Sequence, residues 1–479
     1  MRQEFDLAPA AWRVTPALFA QHLSKGAWYP APHLDRVSDA ITAAVMGWGP
    51  RFIIVDAPPR HGKSELVSVW TPTWFLDHFP SKRVMLGAYE AGFAQGWGRR
   101  VRNNLVEYRD ELRVRLASDS KSAKAWSTTA GGGMQTAGVG GPFTGKGANL
   151  LLIDDPFKNW ADASSEIKRK AVIEWWQTSA RTRLEPGGVI VVIMTRWHPE
   201  DIVGHLIAAA EAGGEQYLVL SFPALAEAGD LLGRPVGAAL WRERYDEEAL
   251  LQLKGGMTSY FFNALFQGHP TPPEGNLFKR AWFTARVPSL PPGASLIGRV
   301  RGWDQGATQD AGDETAGVRM SLSRSGTIYV EHCIAGRWSA ATRDKTIKTT
   351  MGADSDLGAP RTIHQFEQEP GSAGKGEAER QRRDFSPFPS RFTRSTGSKL
   401  VRAQGFMAAA EHGKVVLVEG PWVEEWLDEL CAWSGRDGET DNRVDASSVA
   451  FNGLPKLTRE GGVKTDGERL AKAIEKRLT

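Results

Sequence analysis

The sequence predicts an α/β protein in two parts: an N-terminal part on a parallel sheet with a phosphate loop, and a C-terminal mixed α/β part. Three observations lead there. Five apolar runs, RFIIVDA (51–57), RVMLGAY (83–89), NLLLIDD (149–155), GVIVVIMT (188–195) and QYLVLSF (216–222), alternate with helical patterns. Such alternation builds a parallel sheet covered on both faces. The stretch GHPTPPEGN (268–276) is rich in proline and glycine and reads as a linker. Beyond it, TAGVRMSLS (315–323) and GTIYVEHCIA (326–335) form the arms of a hairpin that turns around Arg324 to Gly326.

The remaining elements follow in order. Residues 1–50 read as helical, with apolar spacing at Leu34, Val37, Ile41 and Val45. After the linker come a strand at 296–304, the hairpin, a helix, the strand RTIHQFE (361–367), another helix and the strand KVVLVEG (414–420). Helices at 421–433 and 444–454 close the second part. From Lys456 the chain is charged and lacks core positions, so a mobile tail over 456–479 is expected. The domains expected are 1–267 and 277–455, with 268–276 between them. At about 100–200 residues per domain, the length of 479 residues suits two domains, or three.

Composition narrows the function classes. The net charge of +3, from 59 basic and 56 acidic residues, does not by itself announce a nucleic-acid partner. Cys333 and Cys431 form no CxxC pair and no zinc cluster, so free thiols are expected. The N-terminal stretch has no apolar signal core, and no run of about 18 apolar residues spans a membrane. The 18 tryptophans are read as core and interface aromatics.

The segment APPRHGKS (57–64) has the spacing of a Walker A loop, with Ala57 in place of the usual first glycine. It follows a strand and precedes a helix, the context in which backbone N–H groups surround phosphates. Ala57, Pro58, Pro59, Arg60, His61, Gly62, Lys63 and Ser64 would line the nucleotide. Lys63 supplies a point charge, Ser64 ligates Mg²⁺, and Arg60 reaches the γ-phosphate. The alternative is a plain strand-to-helix turn that happens to carry Gly-Lys-Ser.

A second strand, NLLLIDDP (149–156), ends in two carboxylates, the Walker B pattern. Asp154 is expected in the Mg²⁺ shell and Asp155 at the attacking water. Asp155 is one methylene shorter than the glutamate common in motor ATPases, so Glu166 is a second candidate. A third strand ends in TRWHPED (195–201), with Thr195 where a γ-phosphate sensor sits. Together these pieces predict binding and hydrolysis of ATP.

In combination the motifs resemble the large subunit of a tailed-bacteriophage DNA-packaging terminase, or its prophage and gene-transfer-agent relatives. The resemblance spans roughly 25–455. It rests on PPRHGKSE (58–65), GVGGPFTGKGANLLLIDDP (138–156), WW followed by TRL (175–184), TRWHPEDIVG (195–204), GWDQGAT (302–308), FEQEPGSAGK (366–375) and DNRVDA (441–446). It implies an ASCE-type P-loop ATPase motor domain joined to an RNase H-like nuclease domain. It also implies double-stranded DNA, a terminase small subunit and the portal protein of a procapsid as partners. A homo-oligomeric ring during packaging, a monomer alone, and the cytoplasm of the infected bacterium with transient residence at the portal vertex follow from the same resemblance.

Hydrolysis of a phosphodiester with two Mg²⁺ or Mn²⁺ ions needs converging carboxylates. Carried over from the family, Asp304, Glu367 and Asp445 are the acidic triad, with Glu369 and Asp441 as further acids. Asn442 stands where the family often has a second aspartate. By residue type alone, three acids at element ends can always be found among 56.

Arg380, Arg382, Arg383, Arg391, Arg394 and Lys399 flank the Glu367 strand and are candidates for a DNA groove, the alternative being a solvated charged face. Arg99, Arg100 and Arg102 form another basic group. Arg181, Arg183 and Arg196 are candidates to complete a neighbour's ATP site. The glycine-rich segment 131–147 reads as a flexible loop that touches DNA or a neighbouring subunit, or as a long turn. Two competing readings are a host ATP-dependent helicase or repair nuclease, and a non-enzymatic assembly scaffold that binds nucleotide.

Overall fold

The computed structural model describes residues 11–120, 122–143, 147–271, 277–306, 314–368, 372–394, 398–435 and 439–455. The expected tail at 456–479, and Glu369, lie outside them. The chain divides into two compact units: residues 1–254 with 259–272, and residues 255–258 with 273–479.

The first unit holds one seven-stranded sheet. Its strands are β1 (Phe52–Asp56), β2 (Arg83–Ala88), β3 (Ala125–Ser127), β4 (Gly133–Gly138), β5 (Ala148–Asp154), β6 (Leu184–Met194) and β7 (Leu218–Ser221). Their spatial order is β3-β4-β2-β5-β6-β1-β7. Every pair is parallel except β3 with β4. Both faces are buried, which is why β5 is continuously apolar. Leu150 and Leu152 pack with Trp74 and Phe75 on one side, while Leu151 and Ile153 pack with Trp175 and Trp176 on the other.

The glycine-rich segment differs from expectation. Gly133–Gly138 is the buried strand β4, hydrogen-bonded between β3 and β2, and not a loop. The glycines serve close approach: a methyl on Gly138 would overlap the backbone at Ala91, the start of the Ala91–Glu107 helix. Composition signals freedom of the backbone and crowding around it with the same residue. Residues 144–146 of that segment are outside the described residues.

The helix leaving the phosphate loop starts as a π-helical turn, Glu65–Trp70, and continues as the α-helix Thr71–His78. Pro72 sits at the junction and has no N–H to donate to a carbonyl one turn back, so the regular ladder is interrupted there.

The second unit also has one seven-stranded sheet. It comprises β8 (Arg286–Val287), β9 (Leu296–Asp304), β10 (Thr315–Ser323), β11 (Ile328–Gly336), β12 (Thr362–Gln368), β13 (Ser390–Arg394) and β14 (Val415–Val418). Their order is β13-β12-β9-β10-β11-β14-β8. The three consecutive strands β9, β10 and β11 are antiparallel, and the other pairs are parallel. The short β8 and the polar edge strand β13 carry no apolar alternation and are not legible in the sequence.

Alternation along β9 sends its residues to two faces. On one face Trp303 packs with Phe366, Ile347, Met351 and Phe385. Arg301 on that face donates to Asp354 at 2.6 and 3.0 Å, Arg319 also binds Asp354, and Arg299 pairs with Glu331 at 3.1 Å. The opposite face receives the helix Asn442–Gly453. Gly302 permits this approach, because a methyl there would overlap the backbone of Ala446 and Ala450. Among the described residues, no helix is long and apolar enough to cross a membrane.

Candidate active sites

In the first unit, β6 lies between β1 and β5, so the chain segments after β1, β5 and β6 leave the sheet side by side. The loop after β1 turns through two left-handed residues, Arg60 at φ 65° and Gly62 at φ 84°. Lys63 is buried and its Nζ donates to Thr195 Oγ1 at 2.7 Å, at the end of β6. The same ammonium lies 3.4 Å from Asp155 Oδ2. Ser64 Oγ donates to Asp154 Oδ1 at 2.9 Å. Asp155, also left-handed at φ 42°, accepts the Thr195 backbone N–H on Oδ1 at 2.8 Å. A non-glycine residue in that region costs of order 1–3 kcal/mol, which the three-strand junction must hold in place.

Asp154 has a second partner that the sequence reading missed. Ser68 Oγ donates to its Oδ2 at 2.7 Å. Ser68 stands four residues after Ser64, inside the π-helical turn, and that spacing on one helical segment is the available signal. Burial, with Asp155 adding to it, pushes the Asp154 carboxyl up to about 7, against the pull of Ser68, Lys63 and Ser64. A carboxylate held this way is short of positive charge. Asp154 and the Ser64 hydroxyl are hard oxygen donors of the kind Mg²⁺ takes, so the residues present fit that ion.

His61 is buried in the loop and stacks on Tyr245 at 5.4 Å. His33, on the helix Pro32–Val45, reaches the loop through a 2.8 Å hydrogen bond between its Nε2 and the His61 carbonyl. Burial lowers both imidazoles to about 4, so both are neutral at pH 7 and His33 donates as a neutral ring. His33 is another residue the motif does not announce. Beside the loop opens a cavity of about 1000 Å³, lined in part by Trp28, Tyr29, Leu34, Gly62, Trp241 and Arg244. Arg60 is exposed. Ala57 and Pro58 are buried behind the loop, and Pro59 is half-buried.

In the second unit, β9 and β12 are parallel neighbours with Trp303 opposite Phe366. Asp304 and Glu367 are the next residues on each strand. Alternation puts both on the face covered by the helix Asn442–Gly453, which carries Asp445 in its first turn and is preceded by Asp441. Burial first, then the Asp445 carboxylate, holds Asp304 well above the usual carboxylate range, with Asp441 and Glu367 acting in the same direction. All four acids therefore share one electrostatic site.

Two cations from the helix Lys399–Glu411 stand within it. Lys399 Nζ donates to Asp441 at 2.8 and 2.6 Å and lies 3.3 Å from Asp445 Oδ2. Arg402 donates to Asp445 Oδ1 at 2.9 Å and lies 3.4 Å from Glu367 Oε1. Arg402 was not expected in the site, although it follows Lys399 at one-turn spacing. Carboxylate oxygens are the donor type that Mg²⁺ and Mn²⁺ take, and the burial and neighbouring carboxylates that raise the Asp304 pKa are effects a divalent cation would offset. Among the described residues, however, no three His, Cys, Asp or Glu side chains are close enough to hold a metal ion as they stand.

The other sequence candidates distribute as follows. Lys399 belongs to the acid site rather than to a separate groove. Arg380 pairs with Asp344 and Asp384, and Arg382 lies over the Phe392 ring. Arg383, Arg391 and Arg394 are exposed, the last two on edge strand β13. Arg100 is paired with Glu65, and Arg99 and Arg102 are at most half-buried on the same helix. Arg196 is held by Asp201 at 2.9 Å and Arg181 by Glu215. Glu166 pairs with Lys170 on the surface.

The first unit thus has the architecture of an ASCE-type P-loop nucleotide hydrolase, and the second that of an RNase H-like nuclease. Residues 54–285 match the family described as terminase large subunit, T4likevirus-type, N-terminal. Residues 301–454 match the terminase RNaseH-like domain. The chain belongs to the large-subunit family of bacteriophage terminases, enzymes that couple ATP hydrolysis to the packaging of DNA and cut that DNA with a metal-dependent nuclease.

Solved phage terminase structures are similar to the chain over most of its length or over part of it. The large terminase of the thermophilic bacteriophage D6E shares 15% identity with a TM-score of 0.47, over 87% of this chain and 98% of that one. The bacteriophage HK97 large terminase shares 13% identity with a TM-score of 0.36, over 86% and 93%. The large terminase nuclease of thermophilic phage G20c, with bound magnesium, shares 16% identity with a TM-score of 0.27, over 38% and 100%. No curated protein sequence matches the chain.

Proposed function

We propose that ATP is hydrolysed where β1, β5 and β6 end, and that DNA is cut where Asp304, Glu367 and Asp445 meet. The observation that carries the first assignment is the hydrogen-bonded junction of Lys63, Thr195 and Asp155 with Ser64 and Asp154 beside it. Lys63 takes the β- and γ-phosphates, leaving Thr195 and Asp155 as it does so. Ser64 and Asp154 hold Mg²⁺, which supplies charge neutralisation on the phosphates when bound. Asp155, oriented by the Thr195 N–H, accepts the proton of the attacking water, and Thr195 senses the γ-phosphate. Arg60 adds positive charge from within the loop. The cavity lined by Trp28, Tyr29 and Trp241 supports a seat for the base.

In the nuclease, Asp304, Glu367 and Asp445 hold the divalent ions, with Asp441 and Glu369 as additional acids. Those ions, when bound, polarise the scissile phosphate and lower the pKa of a water. Residues 1–267 form the motor, 277–455 the nuclease and 268–276 the link. The exposed Arg391 and Arg394 on β13 support contact with the phosphates of double-stranded DNA beside the acid site. A terminase small subunit, a portal protein, assembly into a ring during packaging from a monomer alone, and residence in the cytoplasm of the infected cell complete the reading.

The test is digestion of a plasmid by the full chain with and without Mn²⁺, for wild type and Asp304→Asn. Metal-dependent nicking by wild type that is lost in Asp304→Asn, with ATP turnover retained, is the expected result. Equal cutting by both proteins would remove the nuclease assignment. Strand separation of a forked duplex would favour a helicase instead.

A further inference from the structure

The basic residues within the acid cluster point to a property of the nuclease beyond its list of metal ligands. Lys399 reaches two carboxylates, Asp441 and Asp445, and Arg402 reaches two, Asp445 and Glu367. The three acids that surround Asp304 are thus all bridged by two cations placed one turn apart on a single helix. The two cations differ in how firmly they are held. The Arg402 side chain is 14% exposed, whereas that of Lys399 is 51% exposed, with a flexible four-carbon stem that can withdraw to solvent. Among the described residues, no group of three His, Cys, Asp or Glu side chains is placed to hold a metal ion.

We propose that Lys399 is a displaceable counter-ion of the nuclease site, so that divalent metal binding is an exchange in which the Lys399 ammonium leaves Asp441 and Asp445. The inference rests on the nuclease reading above. Electrostatics support it: clustered carboxylates repel one another, and a compact cation among them lowers that cost whether it is an ammonium or a metal ion. An ammonium occupies the space and the lone pairs that a divalent ion needs, so the two compete. Lys399 thereby sets the metal concentration at which the nuclease becomes competent, and the released ammonium is left beside the site where a DNA phosphate would lie. Lys399 acts here as a positioning residue, through the acids it holds.

The experiment is calorimetric titration of the full-length, nucleotide-free protein with Mn²⁺, counting only the binding that Asp304→Asn abolishes. Lys399→Met, which keeps the stem and removes the charge, is expected to tighten the Mn²⁺ Kd by roughly three- to fivefold, the scale of a half-exposed ion pair. Lys399→Arg keeps the charge and is expected to leave the Kd near that of wild type. In wild type, Mn²⁺ is expected to raise the rate of chemical acetylation of Lys399, followed by mass spectrometry, so the idea is tested even if the methionine variant fails to fold. An unchanged or weaker Kd in a folded Lys399→Met variant, or acetylation indifferent to Mn²⁺, overturns the exchange. Absence of any Asp304-dependent Mn²⁺ binding in wild type overturns the nuclease reading itself, which is a different result.

Discussion

The Lys63 ammonium is hydrogen-bonded to the Thr195 hydroxyl at 2.7 Å, across 132 residues of sequence. It also faces Asp155 at 3.4 Å, so the lysine proposed to meet the triphosphate bridges the ends of two neighbouring strands. Lys399 stands in the same relation to Asp441 and Asp445 in the second unit. In both sites a lysine covers acids to which the proposed chemistry assigns a role.

Replacing Lys63 by alanine removes the charge for the phosphates and leaves Asp155 and Thr195 without their partner. ATP turnover is expected to fall by about 10²-fold or more, the scale for loss of one organised charge at a reacting phosphate or oxyanion. Metal-dependent DNA cutting should persist. Phosphate release and plasmid digestion on the same preparation check both halves, and surviving turnover would falsify the assignment of the loop.

Asp154 makes stability depend on pH with a definite sign. Its folded-state pKa is raised from 3.8 to about 7, so the folded chain binds more protons than the unfolded chain between those values. Stability contributed at this position therefore falls as pH rises through that window. Asp154→Asn carries no charge at any pH. In the absence of Mg²⁺ and nucleotide it is expected to melt above wild type at pH 8, by roughly several degrees. The gap should close as pH falls through 7 towards 4. A gap independent of pH would show that Asp154 is already neutralised by its surroundings.

His33 holds the phosphate loop through the His61 carbonyl. His33→Ala deletes the donor and leaves that carbonyl unpaired inside the protein, a loss of about 1–3 kcal/mol. Nucleotide binding should weaken by roughly two- to tenfold if half of that loss appears in the loop. His33→Gln, which retains a donor, should recover part of it. Fluorescent-nucleotide titration gives the comparison, and equal affinity in all three proteins would mean that the loop holds its shape without His33.

Gly302 lets the helix bearing Asp445 lie against β9, two residues from Asp304. Gly302→Ala overpacks this contact at a cost of about 1–3 kcal/mol and moves Asp445 away from Asp304. Cutting is expected to drop sharply while ATP turnover stays within about twofold, since the change lies in the second unit. Thermal melting and the two activities measured side by side test this, and full cutting with an unchanged Tm would count against the close packing.

Much of this was legible in the chain itself. The five apolar runs of the first unit are strands because a sheet buried on both faces needs them apolar throughout, and the phosphate loop and the Asp154–Asp155 pair sit at the ends such strands present. In the second unit the hairpin and the strands ending near Asp304 and Glu367 are equally readable. The strand at 133–138 was hidden, because glycine there answers to crowding by neighbouring backbone that no local pattern records.

The sequence by itself determined most of the element types, the Gly-Lys-Ser loop between strand and helix, and the acids available for chemistry, since these depend on periodicity and on residue type over short spans. Only the tertiary structure decided which acids share a site and which cations stand among them. Ser68 on Asp154, His33 on the loop, and Lys399 and Arg402 among Asp441, Asp445 and Glu367 are contacts between segments separated by 28 to 86 residues. Their energies depend on burial and distance, which are properties of the folded chain and not of any stretch of it.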